Sequence, residues 1–355
     1  LRRELFRVRS SKVGNREIEA ARIYHETTKH SYTSVRTGGH SLDWDNRPMP
    51  YKLYPDVYGV ALPRDLNLSR IPALAAVAGE HAPDASRELS IDALTRILFC
   101  ADGLTRRARV GGEDYHFRAA PSAGALYPIE VYAAVAEVPG LEPGLYHFSP
   151  ADLRLRGLRR GDWRALLARA AGGRVSLLRA RAIVVLSAIF WRSTWKYRAR
   201  AYRYCFWDAG TMLANLLAAA DAEGLPAELV TAFADPDIEM LLGIDGEREG
   251  ALCMVALGED AAAPSSIAEP ALRPLALETI PLSREELGYP DLVRMHRASR
   301  LLDPREASAL ADTHIDSSPS ARSAVVVKPE GGDTGAGLSL GETILRRGST
   351  RVFAR

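Results

Sequence analysis

Apolar residues along this chain fall into two patterns. Short continuous apolar runs, bounded by turn residues, mark strands buried on both faces. These are IEVYAAVAEV (Ile129 to Val138), AIVVLSAIF (Ala182 to Phe190) and GALCMVALG (Gly250 to Gly258). Helical spacing appears in SIDALTRILFC (Ser90 to Cys100), where Ser90 is placed to cap the first turn. It appears again in YRYCFWDAGTMLANLLAAADAE (Tyr202 to Glu223). That segment is apolar around most of its circumference, which predicts a helix buried on several sides. Gly224, with Pro226 just beyond, ends it. EPGLYHFSPADLRLRGLR predicts a hairpin about its Ser-Pro turn, and Asp162 is placed to cap a short helix, WRALLARAA. The arginine-rich stretch between Cys100 and Arg118 reads as a connection.

From Glu259 the pattern changes. EDAAAPSSIAEPALRPLALETIP is rich in Ala and Pro and reads as a linker. SREELGYPDLVRMHRASRLL holds a helical pattern, the stretch from Asp316 to Gly337 is low in complexity, and ETILRRGSTRVFAR regains order. The expected organisation is an extension over 1–14, a core domain over 15–260, an Ala/Pro/Gly-rich linker with a helix over 261–340, and the start of a second unit over 341–355.

Composition narrows the classes. With 355 residues and 47% hydrophobic content there is ample material for a core. A net charge of +2 implies no bulk polyanion partner. Cys100, Cys205 and Cys253 are far apart and form no CxxC pair, so they read as buried reduced thiols of a cytoplasmic protein. The longest apolar run, Ala182 to Trp191, is about half of the roughly 20 residues a membrane helix needs. The opening LRRELFRVRSSK is too charged for a signal peptide.

Three stretches carry candidate chemistry. RAAPSAGALYPI (Arg118 to Ile129) is a small-residue loop that feeds a strand. Such a loop lets backbone approach a flat ligand closely, with Arg118 and Ser122 as polar contacts; it is also, more simply, a tight turn. WRSTWKYRARAYRY (Trp191 to Tyr204) interleaves five cations with aromatics and has no acid. It fits a Lys196–Tyr197 pair at the mouth of a site, the ammonium lowering the phenol's pKa, a stacking surface for single-stranded nucleic acid, or a solvated basic helix start. YHETTKHSY (Tyr24 to Tyr32) has two histidines that do not share a helical face and no acidic cluster, so it forms no metal site. It reads as a polar arm facing a phosphate or as a surface loop. No P-loop and no GxGxxG after a strand is present, and the Arg118 to Ile129 loop carries no GxSxG.

Taken in order, YHETTKHS, DWDNRPMPYKLYP, RAAPSAGALYPIEVY, GLYHFSP, WKYRARAYRYCFWDAG and LLGIDG resemble the SagB-type, or ThcOx-type, flavin dehydrogenases of the nitroreductase superfamily over about residues 15–260. The resemblance implies an α+β fold, with a mixed and mostly antiparallel sheet wrapped by helices, and FMN at a dimer interface. By carry-over, Arg118, Pro121, Ser122, Ala123 and Gly124 would lie along the flavin, and Thr28, Lys29 and His30 near its phosphate. Lys196 and Tyr197 match the catalytic Lys-Tyr pair of the azoline oxidases in that family. ETILRRGSTRVFAR resembles the opening arginine motif of a nitroreductase domain, in which Arg346, Arg347 and Arg351 would meet a phosphate. Longer relatives carry two such domains in tandem as an internal pseudo-dimer. The chain then reads as a first domain followed by the opening of a second, and the first domain lacks its own RRGSTR-like start.

The activity implied is oxidation of azoline rings in a modified peptide to azoles, with azoline-forming partner enzymes and a homodimer or pseudo-dimer. Three other readings stand beside it. One is a general NAD(P)H–FMN reductase of quinones or nitroaromatics. Another is a flavin-free pseudoenzyme that binds a peptide partner. The third is a nucleic-acid binder, which the near-neutral net charge disfavours.

Overall fold

The three apolar runs form the middle of a seven-stranded sheet. In the computed structural model the described residues are 17–349, apart from 38, 82, 85, 111, 137, 260–271, 276 and 312–336. The extension 1–14, much of the expected linker and Arg351 lie outside them. The strands are β1 Gly59–Ala61, β2 Leu104–Val110, β3 Glu113–Arg118, β4 Ile129–Val135, β5 Gly144–Ser149, β6 Arg154–Arg160, β7 Ala182–Ile189, β8 Ala227–Val230 and β9 Glu249–Leu257. The sheet order is β1-β6-β5-β4-β7-β9-β8, and every one of these pairs is antiparallel. β2 and β3 form a separate hairpin.

Central position explains the apolar runs. All residues of β4 and β7 are buried, because helices cover both faces of the sheet. Successive side chains point to opposite faces. Val131, Val184 and Leu186 join the core beneath the Ile91–Asp102 and Ala201–Ala222 helices. Tyr132, Val185 and Met254 join the core beneath the Arg164–Ala170 and Asp235–Leu242 helices. Burying each such apolar side chain stabilises the fold by about 1.5–3 kcal/mol. Ser90 caps the Ile91–Asp102 helix by accepting from the backbone N–H of Ala93. The result is the expected α+β fold, an antiparallel sheet wrapped by helices.

Several local expectations are corrected. The arginine-rich connection is the β2–β3 hairpin, closed near Gly112 at φ 89°. Its exposed arginines, such as Arg109 paired with Asp114 at 2.8 Å, hide the alternation that marks a strand. Trp163, not Asp162, occupies the cap of the next helix, while Asp162 accepts from the backbone N–H of Arg164 at 2.9 Å. The Ala201–Ala222 helix is less enclosed than its composition implies, since Phe206 and Trp207 stand 45% and 54% exposed.

The stretch assigned to a linker by composition also contributes packing. Helices Pro290–Ser299 and Pro304–Ala311 bury Leu292, His296 and Ala307, with Leu301 buried between them. The Leu340–Arg346 helix carries a Ser339/Glu342 capping box and sinks Leu340 and Ile344 into the core shared with Ala201–Ala222. The three cysteines are buried and unpaired. Among the described residues, no helix is long and apolar enough to cross a membrane.

Candidate functional site

Residues 119–127 cross from the end of β3 to the start of β4, and the Ala201–Ala222 helix holds them down. Asp208 of that helix accepts from the Ser122 hydroxyl at 2.6 Å and from the Ala123 backbone N–H at 3.1 Å. Ser122 Oγ accepts in turn from the Tyr127 N–H at 2.8 Å. Thr211, one turn further on, donates to the Pro121 carbonyl at 3.0 Å. Four hydrogen bonds thus fix a segment whose residues 123–125 carry no side chain beyond Cβ. Gly124 takes φ +69° within it, a conformation that L side chains rarely adopt.

The Phe190–Tyr197 helix brings the Lys-Tyr pair to this loop. It buries Trp191, Trp195 and Arg192. Arg192 is fully buried, pairs with Glu130 of β4, and donates to the Tyr127 carbonyl at 3.0 Å and to the Met49 carbonyl at 3.0 Å. The helix is therefore pinned to the same strand that the loop feeds. Immediately after it, Arg198 takes φ 51° and ψ −147°, an uncommon backbone for a non-glycine residue, and the chain turns into the next helix. At that corner the side chains of Lys196 and Tyr197 lie against Gly124. A Cβ there would stand 2.7 Å from Tyr197 Oη and 3.2 Å from Lys196 Nζ.

Burial raises the pKa of Tyr197, and Tyr204 and Asp208 push the same way. The expectation of a lowered phenol pKa is corrected: desolvation, with Tyr204 and Asp208 adding to it, keeps Tyr197 a phenol at neutral pH. Tyr204 packs on it with ring centroids 4.4 Å apart. Burial also pushes Asp208 up to about 6, against the hydrogen bonds from Ser122 and Ala123.

Arg118 departs from its expected place. Its guanidinium is 2% exposed and turned away from the loop, bonding Asp102 at 2.9 and 2.7 Å and the Pro50 carbonyl. Tyr51 and Tyr127 flank it, at 5.1 and 4.9 Å to the ring centroids. Its charge is engaged by a buried ion pair with Asp102. Thr28 is buried, and its carbonyl and hydroxyl already accept from Arg200 and Arg203. Lys29 pairs with Glu26 at 2.6 Å, and His30 is exposed. This arm nonetheless packs beside the Lys-Tyr corner, since Tyr24 donates to the Ala199 carbonyl at 2.7 Å.

Arg347 reaches the other side of the loop and donates to the carbonyls of Ala119 at 3.1 Å and Arg118 at 3.2 Å. Arg346 is exposed, and Arg351 lies outside the described residues. Two contributors were missed at sequence level, Asp208 and Arg192. Asp208 stood in plain view as the one acid between Tyr202 and Ala220 of a long apolar helical run, which is a signal in itself. Among the described residues no cluster of His, Cys, Asp and Glu could hold a metal ion.

The nitroreductase family model matches residues 84–259, which includes the loop, the Lys-Tyr corner and the helix that holds them. A protein of Methanocaldococcus jannaschii named as a nitroreductase is 31% identical over 159 residues, covering 45% of this chain and 77% of that protein. The trifolitoxin-processing protein TfxB of Rhizobium leguminosarum bv. trifolii is 30% identical over 179 residues, covering 49% of this chain and 48% of its own. A crystal structure from Anabaena variabilis, described as a nitroreductase, superimposes with a TM-score of 0.60 at 29% identity, over 79% of this chain and 54% of that one. The chain thus spans about half the length of the trifolitoxin protein and of the Anabaena protein. From its family match, its archaeal relative and the motifs it carries, the chain belongs to the nitroreductase family, in the SagB-type group of that superfamily.

Proposed function

We infer that the chain is an FMN-dependent oxidoreductase of modified peptides, and that its reaction is the two-electron oxidation of an azoline ring to an azole. The observation that carries this reading is the contact of Lys196 and Tyr197 with Gly124. It sets a proton-handling pair directly beside a loop built for close approach of a flat ring. The trifolitoxin-processing relative supports a peptide substrate.

The residues present fit a flavin. Residues 123–125 carry no side chain beyond Cβ, so a flat ring can approach their backbone closely. Pro121, Ser122, Ala123 and Gly124 would line the ring, and Arg347, beside the loop, would face the phosphate end together with Arg346. When bound, the cofactor supplies a two-electron acceptor for hydride, and oxygen would reoxidise it.

The chain's own part is the proton. Aromatising an azoline removes a hydride from one ring carbon and a proton from its neighbour, leaving a new C=C bond. That proton passes through the Tyr197 hydroxyl, which gives up its own proton to solvent as it accepts the new one, and Lys196 beside it stabilises the negative charge that develops. Asp208 acts at one remove by clamping the loop through Ser122 and Ala123. Such a clamp matters because a misplacement of about an ångström in a site costs about 100-fold in rate.

The test is direct. The purified chain, mixed with FMN, should show the visible absorption of a bound oxidised flavin. An azoline-bearing peptide should then bleach it under anaerobic conditions, with loss of two mass units from the peptide. If bleaching instead requires NADH and the peptide mass is unchanged, the general reductase reading takes its place. A chain that binds no flavin would leave the peptide-binding pseudoenzyme.

A further inference from the structure

On the sheet face opposite the Ala201–Ala222 helix lies a cavity of about 560 Å³, within the range of ligand sites. Its floor is a closed polar network. Lys52 Nζ bonds Glu249 at 2.6 Å and donates to the Tyr132 hydroxyl at 2.8 Å. Tyr132 and Ser187 donate to the other oxygen of Glu249 at 2.7 and 2.6 Å. The walls are the Asp235–Leu242 helix, the turn after it, and residues 274–275 and 277–282. That last segment is tied across the opening, with Ile280 N–H donating to the Leu53 carbonyl at 3.0 Å and Met49 N–H to the Leu282 carbonyl at 2.7 Å. Met240, Leu242, Leu275 and Ile280 give the walls an apolar character.

The charges left over decide what the cavity can take. Four carboxylates line it, against two cations. Both cations are engaged: Lys52 by Glu249, and Arg248 by Glu286 at 2.7 Å. Glu249 is saturated by its three donors, and Asp245 accepts the backbone N–H groups of Glu247 and Arg248 at 2.9 and 2.8 Å. Glu239 differs. It is 5% exposed, one of its oxygens is paired with Arg300, and Oε1 is buried with no hydrogen-bond partner. A buried acceptor without a donor is destabilising, and a charged donor would recover that loss. Burial pushes Glu239 up to about 7, with Arg300 opposing and Asp235 and Asp245 adding to the rise.

We propose that this cavity docks the side chain of a lysine in an extended peptide, its methylenes against the apolar walls and its ammonium at Glu239. The volume exceeds what one such side chain fills and leaves room for the apolar residues that flank it. The docked peptide approaches from the face opposite the flavin loop, so the cavity grips part of the substrate that is not being oxidised. The choice of a peptide over a free amine rests on the peptide reading above; the choice of a cation rests on Glu239.

The experiment is calorimetric titration of the full chain with an acetylated, amidated leucine–lysine–leucine tripeptide. The same tripeptide with norleucine or glutamate in the centre, and n-butylamine, are the controls. The lysine peptide should bind about tenfold or more tightly than any of the three. Glu239→Gln should remove that preference. Met240→Arg, which sets a competing cation at an exposed rim position, should weaken the lysine peptide to a similar degree. Flavin content and melting temperature report whether each variant is folded. Equal affinity for the lysine and norleucine peptides, no binding of the lysine peptide, or full affinity in both variants overturns the site. Butylamine binding as tightly as the peptide overturns the peptide assignment. A chain that binds no flavin yet discriminates the peptides would sink only the redox reading, so the two failures are distinguishable.

Discussion

Gly124 and the hydroxyl of Tyr197 are in direct contact, with room for no more than the glycine hydrogen between them: a Cβ would come within 2.7 Å of Tyr197 Oη. The relationship joins a loop between two strands to the end of a helix far along the chain. Neither half makes a site alone. Gly124→Ala tests the joint. The added methyl meets a φ of +69° that costs about 1–2 kcal/mol for an L residue, and it displaces the Lys-Tyr pair. Peptide oxidation should fall about 100-fold, while the melting temperature falls by only a few degrees. A normal turnover number would show that the contact has no part in the reaction.

Removing the proton-handling groups should leave binding intact. Lys196→Ala and Tyr197→Phe are each expected to cut peptide oxidation by about 10²–10⁴-fold, the usual worth of positioned acid–base groups. Because neither side chain supports the loop through a hydrogen bond, both variants should retain flavin at the parent's stoichiometry. Rates equal to the parent's in both would take the pair out of the mechanism.

Arg118 makes a different prediction from the one its position in the loop motif invites. Truncating it leaves Asp102 buried and uncompensated, so Arg118→Ala should destabilise the chain by about 3–5 kcal/mol in urea unfolding. The double change Arg118→Met with Asp102→Leu should recover most of that loss, since it removes both charges from the interior. A single variant with normal stability but lost flavin would return Arg118 to the cofactor's surroundings.

These corrections show which parts of the molecule were legible beforehand. The central strands β4, β7 and β9 were readable because full burial writes an unbroken apolar run. The β2–β3 hairpin was not, because an exposed ribbon outside the main sheet needs no apolar face, and its arginines obscured the alternation. At the site, residue type drew out Lys196 and Tyr197 as one reading among three, Gly124 came from the family resemblance, and the structure brings the three into contact. Type alone could not tell which way Arg118 points: a cation beside a small-residue loop serves a ligand above or a carboxylate below, and Asp102 lies sixteen residues earlier at the end of another helix. Nor could it give the sign of the Tyr197 shift, which depends on burial and on Asp208 arriving from a third element.

Asp208 should leave a mark on the pH dependence of stability. An unfolded aspartate titrates near 3.9, whereas burial pushes the folded Asp208 up to about 6. Between those values the folded chain binds more protons than the unfolded one. The stability linked to this group is therefore fully present below about pH 4 and is lost as pH rises through about 6. In Asp208→Asn the urea midpoint should fall less steeply than the parent's over that window. Asp235 and Glu239, also raised by burial, are common to both chains and cancel in the difference. Parallel midpoint curves would mean that Asp208 is not the titrating group. The same variant should bind flavin more weakly, because an amide cannot accept from both Ser122 and Ala123 as a carboxylate does.

Arg347 links the last described helix to the loop by two hydrogen bonds to main-chain carbonyls, and this makes its loss separable from that of Arg346. Arg347→Ala removes charged donors from the Arg118 and Ala119 carbonyls, which should cost about 1.5–3 kcal/mol of stability with or without cofactor. Arg346 is exposed and bonds nothing in the loop, so Arg346→Ala should leave the melting temperature of the flavin-free chain unchanged. Both variants should weaken FMN more than they weaken riboflavin, because a guanidinium facing the phosphate end is worth nothing to a ligand without a phosphate. Equal losses for FMN and riboflavin in both variants would remove these arginines from the phosphate's surroundings and leave Arg347 as a strut between the Leu340–Arg346 helix and the loop.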